Sequence, residues 1–146
     1  MAKVVFVIPC QKTIVDSSNN LSLIEVLDQI TIHGKLPEQV DGKAPTLPFQ
    51  FSIVTLWMRS KPSESSTLKT RTRLESPNGK SHVLVEQDVD LSRFPKVRAI
   101  VRCNSLPFGG MGTYRIGVQQ QSAGGSWRTV GRAHFDLRHD VTNASR

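Results

Sequence analysis

Seven basic residues near the C-terminus carry the strongest chemical signal in this 146-residue chain. Residues 96–138 hold Lys96, Arg98, Arg102, Arg115, Arg128, Arg132 and Arg138 against Asp136 alone, whereas residues 1–95 hold 11 Lys/Arg against 10 Asp/Glu. Almost the whole net charge of +7 therefore falls in the last third. The basic residues there alternate with apolar ones, and a period of two places them on one face of a sheet. Guanidinium groups gathered on a face hold carboxylate or phosphate through two-point hydrogen bonds. The candidate binding face is Arg98, Arg102, Arg115, Arg128 and Arg132, with Arg115 expected opposite Arg132 and Gln119 opposite Arg128.

Other chemistry finds less support. His134 and His139 lie five apart on one extended segment, so a regular strand turns them to opposite faces and they cannot share a metal ion. His33 falls at a strand end and His82 is expected to face Glu75; neither HExxH nor CxxC occurs. Cys10 and Cys103 continue apolar patterns and read as small buried hydrophobes rather than nucleophiles. No serine sits in a G-x-S-x-G elbow. The glycine-rich run from Leu106 to Gly112 lacks the Lys-Ser/Thr of a P-loop and leads into a strand, so it reads as an inter-sheet crossover and not a phosphate cradle. Neither catalytic residue, metal nor cofactor is expected.

The elements that must position the arginines are strands. Residues 4–14 are β-branched and read as a strand interrupted at Pro9. Residues 21–32 fit a short helix near 22–30, with Ser22 and Glu25 as a capping box, or a strand with Ile24, Val26, Ile30 and Ile32 on one face and Asp28 as the exception. Their β-branched content favours the strand. Residues 33–48 form a long loop and residues 49–59 an alternating strand. Asn78 and Gly79 between residues 68–76 and 81–89 form the strongest hairpin signal. A two-residue turn there sets Leu74 opposite Val83, Thr72 opposite Val85 and Leu68 opposite Val89. The other face then pairs Glu75 with His82, Arg71 with Glu86 and Lys69 with Asp88, so opposite charges meet.

A strand over 96–104 follows, with Val97, Ala99, Val101 and Cys103 inward, then a second hairpin of residues 113–120 and 127–138 with Trp127 inward. Gly112 and Tyr114, entering a strand, match the tyrosine corner of Greek-key folds. The expected architecture is all-β: an antiparallel, Greek-key-like two-sheet β-sandwich of seven to nine strands, one domain over 1–139 with a polar tail at 140–146. Asn143 opens a glycosylation sequon that reads as chance, because no signal peptide is visible. No stretch approaches the length of a spanning helix, and a cytoplasmic location is expected.

Cys10 closing the first strand, the turn into residues 20–24, and Pro48, Phe49, Gln50 and Phe51 running on to Trp57 resemble a family of small bacterial β-rich proteins of unknown function. The resemblance implies a cytoplasmic bacterial domain and brings no catalytic residue, cofactor or substrate. The sequence thus points to a non-enzymatic protein-interaction or assembly module, working through a sheet edge or the arginine face on a protein partner or a second copy. The alternative is binding of nucleic acid or another polyanion through the five arginines. A carbohydrate-active or hydrolytic domain is least favoured, since few aromatics are spare to form sugar platforms. No membrane partner is expected.

Overall fold

A computed structural model of the chain describes residues 2–39, 42–61, 63 and 66–140. The tail beyond Asp140, with the Asn143 sequon, and residues 40 and 41 of the 33–48 loop lie outside the described residues. The described chain is all-β with no helix, and it forms three sheets where two were expected. The described residues form eleven strands, more than the seven to nine expected: β1 (Lys3–Val15), β2 (Leu21–Val26), β3 (Gln29–His33), β4 (Thr46–Leu47), β5 (Phe51–Met58), β6 (Thr67–Glu75), β7 (Ser81–Asp90), β8 (Lys96–Cys103), β9 (Leu106–Pro107), β10 (Gly112–Gln121) and β11 (Trp127–Asp140). One sheet runs β2-β1-β5-β8, a second β3-β11-β10-β6-β7, and the two-residue strands β4 and β9 pair as a third. All pairings are antiparallel except β3 with β11.

Pro9 does not interrupt β1, and the hydrogen bonding shows why. The Pro9 carbonyl accepts from the Leu27 N–H at 2.8 Å, just past the end of β2. The ring nitrogen points to that same side, so its missing donor falls where pairing has ended and the ladder to β5 is untouched. The segment 21–32 is strand, not helix, but it breaks at Leu27 and Asp28 and crosses from one large sheet to the other. Ile30 and Ile32 are buried in the second sheet, while Ile24 and Val26 stay exposed on the edge strand of the first; the four do not share one face. Asp140 closes β11 opposite His33, whose Nδ1 lies 3.4 Å from the Asp140 carboxylate.

Both hairpins close on the same turn, which differs from the one expected. Ser76 N–H donates to the Lys80 carbonyl and Gly79 N–H to the Ser76 carbonyl, each at 2.9 Å. Ser122 and Ser126 repeat the first bond and Gly125 with Ser122 the second. Gly79 (φ 85°) and Gly125 (φ 86°) are left-handed, whereas Asn78 is not among the residues with positive φ. A two-residue I′ turn would need positive φ at both Asn78 and Gly79; a three-residue loop on a type I turn needs it only at the glycine. Pro77 decides the matter, because its fixed φ suits the first corner of a type I turn. Each loop is followed by a register shift that leaves Leu84 and Val130 as bulge residues. Beyond the first bulge Thr72 faces Val85 and Leu68 faces Val89, as expected; nearer the turn Arg73 faces Val83, Leu74 faces His82, and Glu75 faces Ser81.

Side chains from both large sheets meet in one core. Phe51 and Ile53 of β5 and Val101 of β8 pack with Leu74, Tyr114, Ile116, Phe135 and Leu137 of the second sheet. Tyr114 stacks on Phe135 at 5.4 Å, and Phe51 meets Phe135 edge-on at 6.2 Å. Each such side chain contributes roughly 1.5–3 kcal/mol on burial. The Tyr114 hydroxyl accepts from Gly109 N–H at 3.0 Å and donates to the Gly110 carbonyl at 2.8 Å, which fixes the glycine-rich crossover into β10. Gly109 is glycine for lack of room: a Cβ there would lie 2.3 Å from Ser76 Cβ.

Candidate functional site

Residues directly opposite in an antiparallel ladder share a face, so the registers map the outer surface of the five-stranded sheet. Across β6, β10 and β11 the rows read Arg71·Gln119·Thr129, then Arg73·Gly117·Arg132, then Glu75·Arg115·His134, then Thr113·Asp136 beside β6's end. All of these but Arg71 line an open groove of about 750 Å³. The glycine supplies its floor and the long arginines its walls.

The rows differ in how far their side chains are already engaged. Arg71 donates from Nε to Gln119 Oε1, Gln119 donates to Thr129 Oγ1 at 3.2 Å, and the Arg71 guanidinium lies 4.3 Å over the Trp127 ring. That row closes one end of the groove. At the other end Thr113 Oγ1 donates to the Asp136 carboxylate at 2.8 Å. Between them Arg73 donates from Nε to Ser81 Oγ at 3.0 Å. Arg115 and Arg132 have neither hydrogen bond nor ion pair among the described residues, although Glu75 and Asp136 line the same groove.

Of the five arginines expected to form one face, the structure brings together only Arg115 and Arg132. They are not opposite each other: Arg115 faces His134 and Glu75, and Arg132 faces Gly117. The like-charge contact expected from symmetric pairing is thereby removed by the turn and the Val130 bulge. The turn sets Arg128 opposite Gln120, and the bulge leaves it on the other face of the sheet from Arg132 and brings Trp127 out beside Arg71 where it was expected inward. Arg98 and Arg102 lie on β8 in the other large sheet, and Arg98 donates to the Asn19 carbonyl at 2.9 Å. Arg71 and Glu86, and Lys69 and Asp88, do face each other, but no ion pair forms between them among the described residues. Arg73, His134 and Trp127 complete the site. A glycine as the third loop residue in both hairpins was the signal that could have placed them.

Elsewhere the reactive groups are muted. Burial pushes the Cys10 thiol above its ordinary value and the Cys103 thiol up to about 11. Both cysteines are unpaired. Among the described residues no three His, Cys, Asp or Glu side chains are grouped to hold a metal ion, and no helix is long and apolar enough to cross a membrane.

No protein-family model matches the chain, and no curated protein matches it. Among solved structures it is similar to the Pseudomonas fluorescens alkylpurine DNA glycosylase AlkC bound to DNA containing an abasic site analogue, at 10% identity and a TM-score of 0.48, over 94% of this chain and 30% of that one. The PmoD soluble domain from Methylocystis sp. is similar at 13% identity and a TM-score of 0.35, over 94% of this chain and 98% of that one. The chain thus spans less than a third of the glycosylase chain it matches, and likenesses of this depth carry no argument about what it does.

Proposed function

We propose that the chain is a non-enzymatic binding module of the β-sandwich type, which docks a segment of a partner protein on the outer face of β6, β10 and β11. The shared core of the two large sheets and the Tyr114 hydroxyl on the crossover support the sandwich description. One observation carries the function: Arg115 and Arg132, without side-chain partners among the described residues, share a groove with Arg73, and Trp127 lies under the Arg71 guanidinium one row beyond it. Arginine and tryptophan are the side chains most often responsible for affinity at protein interfaces. Thiols held in the protonated form by burial support a non-catalytic role for both cysteines.

The same groove argues against a nucleic-acid track. Glu75 and Asp136 stand among its arginines, and Glu86 and Asp88 lie on the same face beyond, so a continuous run of phosphates meets carboxylates at intervals. Arg98, Arg102 and Arg128, which a polyanion reading also needs, point elsewhere. Titration with an array of twelve-residue peptides of graded acidity, and with a single-stranded oligonucleotide, decides between the two. Peptide binding that shifts the backbone amides of the β6, β10 and β11 face and quenches Trp127 supports docking. Binding of the oligonucleotide with a steep salt dependence, lost on Arg102→Gln or Arg128→Gln, overturns it.

A further inference from the structure

We infer that the row Arg73·Gly117·Arg132 is a clamp for one anionic side chain of the docked partner, carboxylate or phosphate, received over the bare backbone of Gly117. The inference rests on the docking reading above and assigns it a chemical specificity. Gly117 is the starting point, because nothing in the fold asks for glycine there. It sits mid-strand between two pairing neighbours, its φ is not positive, and a Cβ would meet only Thr129 Cγ2 at 3.9 Å, an ordinary contact. Gly131, on the partner strand of this hairpin, differs: a Cβ there would lie 2.8 Å from Val7 Cγ2. A mid-strand glycine weakens its strand and often marks a place where a ligand approaches the backbone closely.

The flanking residues give that approach its chemistry. Arg73 and Arg132 stand one strand to either side of Gly117, so their backbones are about 10 Å apart with no side chain between them. Ser81 Oγ holds Arg73 by Nε, which fixes its side chain and leaves the two terminal nitrogens to donate. Arg132 has no partner and its donors are free among the described residues. Arg73 and Arg132 line the same groove as Gly117; Ser81 holds Arg73 from the β7 side, and an anion set over the Gly117 backbone fits the terminal nitrogens of either guanidinium in two-point geometry. Glu75 in the next row and Asp136 in the row beyond repel further negative charge, so the clamp takes a single anionic group and not a polymer of them.

Three acetylated, amidated five-residue peptides test this, identical except for a central glutamate, phosphoserine or glutamine. Titration is followed by amide shifts. The expected result is that the glutamate or the phosphoserine peptide shifts the Gly117 amide and binds at least about tenfold tighter than the glutamine peptide, and the better of the two names the anion. Arg73→Gln, Arg132→Gln and Gly117→Val should each weaken that binding about tenfold or more, with melting curves confirming that each variant folds, while Arg102→Gln on the other sheet leaves it unchanged. A face that takes the twelve-residue peptides of the array without preferring either anion, or that binds equally well in Gly117→Val, overturns the clamp and leaves docking standing. Failure of every peptide of both sets to shift that face overturns both.

Discussion

Replacing Gly117 with alanine should stabilise this protein, and the same change at Gly109 should do the opposite. The Gly117 backbone is already one that alanine adopts, and its new methyl would sit 3.9 Å from Thr129 Cγ2. A glycine in a strand interior costs about 0.5–1 kcal/mol relative to alanine, chiefly through the freedom of the unfolded chain. In a domain of this size each kcal/mol moves the melting temperature by roughly 2–4 °C, so Gly117→Ala should melt about 1–4 °C higher. At Gly109 the methyl would lie 2.3 Å from Ser76 Cβ and 2.8 Å from both Ser76 Oγ and Asn78 Oδ1. Ser76 is itself buried, and the crossover is tied down by the Tyr114 hydroxyl, so the backbone must move. Overpacking of that kind costs about 1–3 kcal/mol, a loss of roughly 2–12 °C. Differential scanning calorimetry of the two variants beside the parent measures both signs. If Gly117→Ala melts lower than the parent, the fold needs that glycine after all, and the case for a ligand over it collapses with the stability argument.

Further outcomes follow from the same geometry. Tyr114→Phe leaves Gly109 N–H and the Gly110 carbonyl without their partner and should cost about 1–3 kcal/mol by urea denaturation; a change under about 0.5 kcal/mol would mean that the hydroxyl does not fix the crossover. Cys103, with its thiol pushed up to about 11 from 9.0, should react with iodoacetamide at pH 8 roughly a hundredfold more slowly than a free cysteine, as followed by mass spectrometry. Because its folded value is the raised one, the stability due to the protonated thiol is fully present below pH 9.0 and is lost as pH rises through about 11; the Cys103→Ala variant should lack that alkaline loss. Trp127→Ala should cost less than about 1 kcal/mol, the worth of an exposed cation–π contact with Arg71, whereas Trp57→Ala in the core should cost about 3–5 kcal/mol. Emission that stays blue after loss of Trp127 would confirm that the remaining signal comes from buried Trp57.

Strand positions were legible because alternation is a local signal: Val97, Ala99 and Val101 of β8, and Tyr114, Ile116 and Val118 of β10, face inward as their spacing requires. Registers were legible only where the turn and the bulge cancel. Beyond the Leu84 bulge the expected pairs Leu68 with Val89 and Arg71 with Glu86 hold, and before it they slip by one. In the second hairpin the shifts from the three-residue loop and the Val130 bulge add up, so Arg115 meets His134 instead of Arg132. A bulge carries no strong composition of its own, and a slip of one residue reverses every face beyond it. Sheet membership was the other illegible quantity. Arg98 and Arg102 obey the same alternation as Arg115 and Arg132, and period-two spacing says which face a residue takes but not which sheet owns the strand.

The charge pattern and the site are therefore related through the turns. Symmetric pairing would have set two guanidiniums directly across from each other, a contact that destabilises the sheet by several tenths of a kcal/mol and leaves no room between them. The observed register sets Gly117 opposite Arg132 and moves Arg132 two residues along the ladder from Arg115, with Arg73 on the far side of Gly117. Repulsion falls because the charges are further apart, yet neither Arg115 nor Arg132 gains a carboxylate within ion-pair distance among the described residues. A sheet selected only for stability would place an acid or a threonine at residue 117, filling the floor and answering the arginines at once. The chain instead keeps the gap open and the positive charge unanswered, which is the arrangement a surface needs when the answering charge belongs to another molecule.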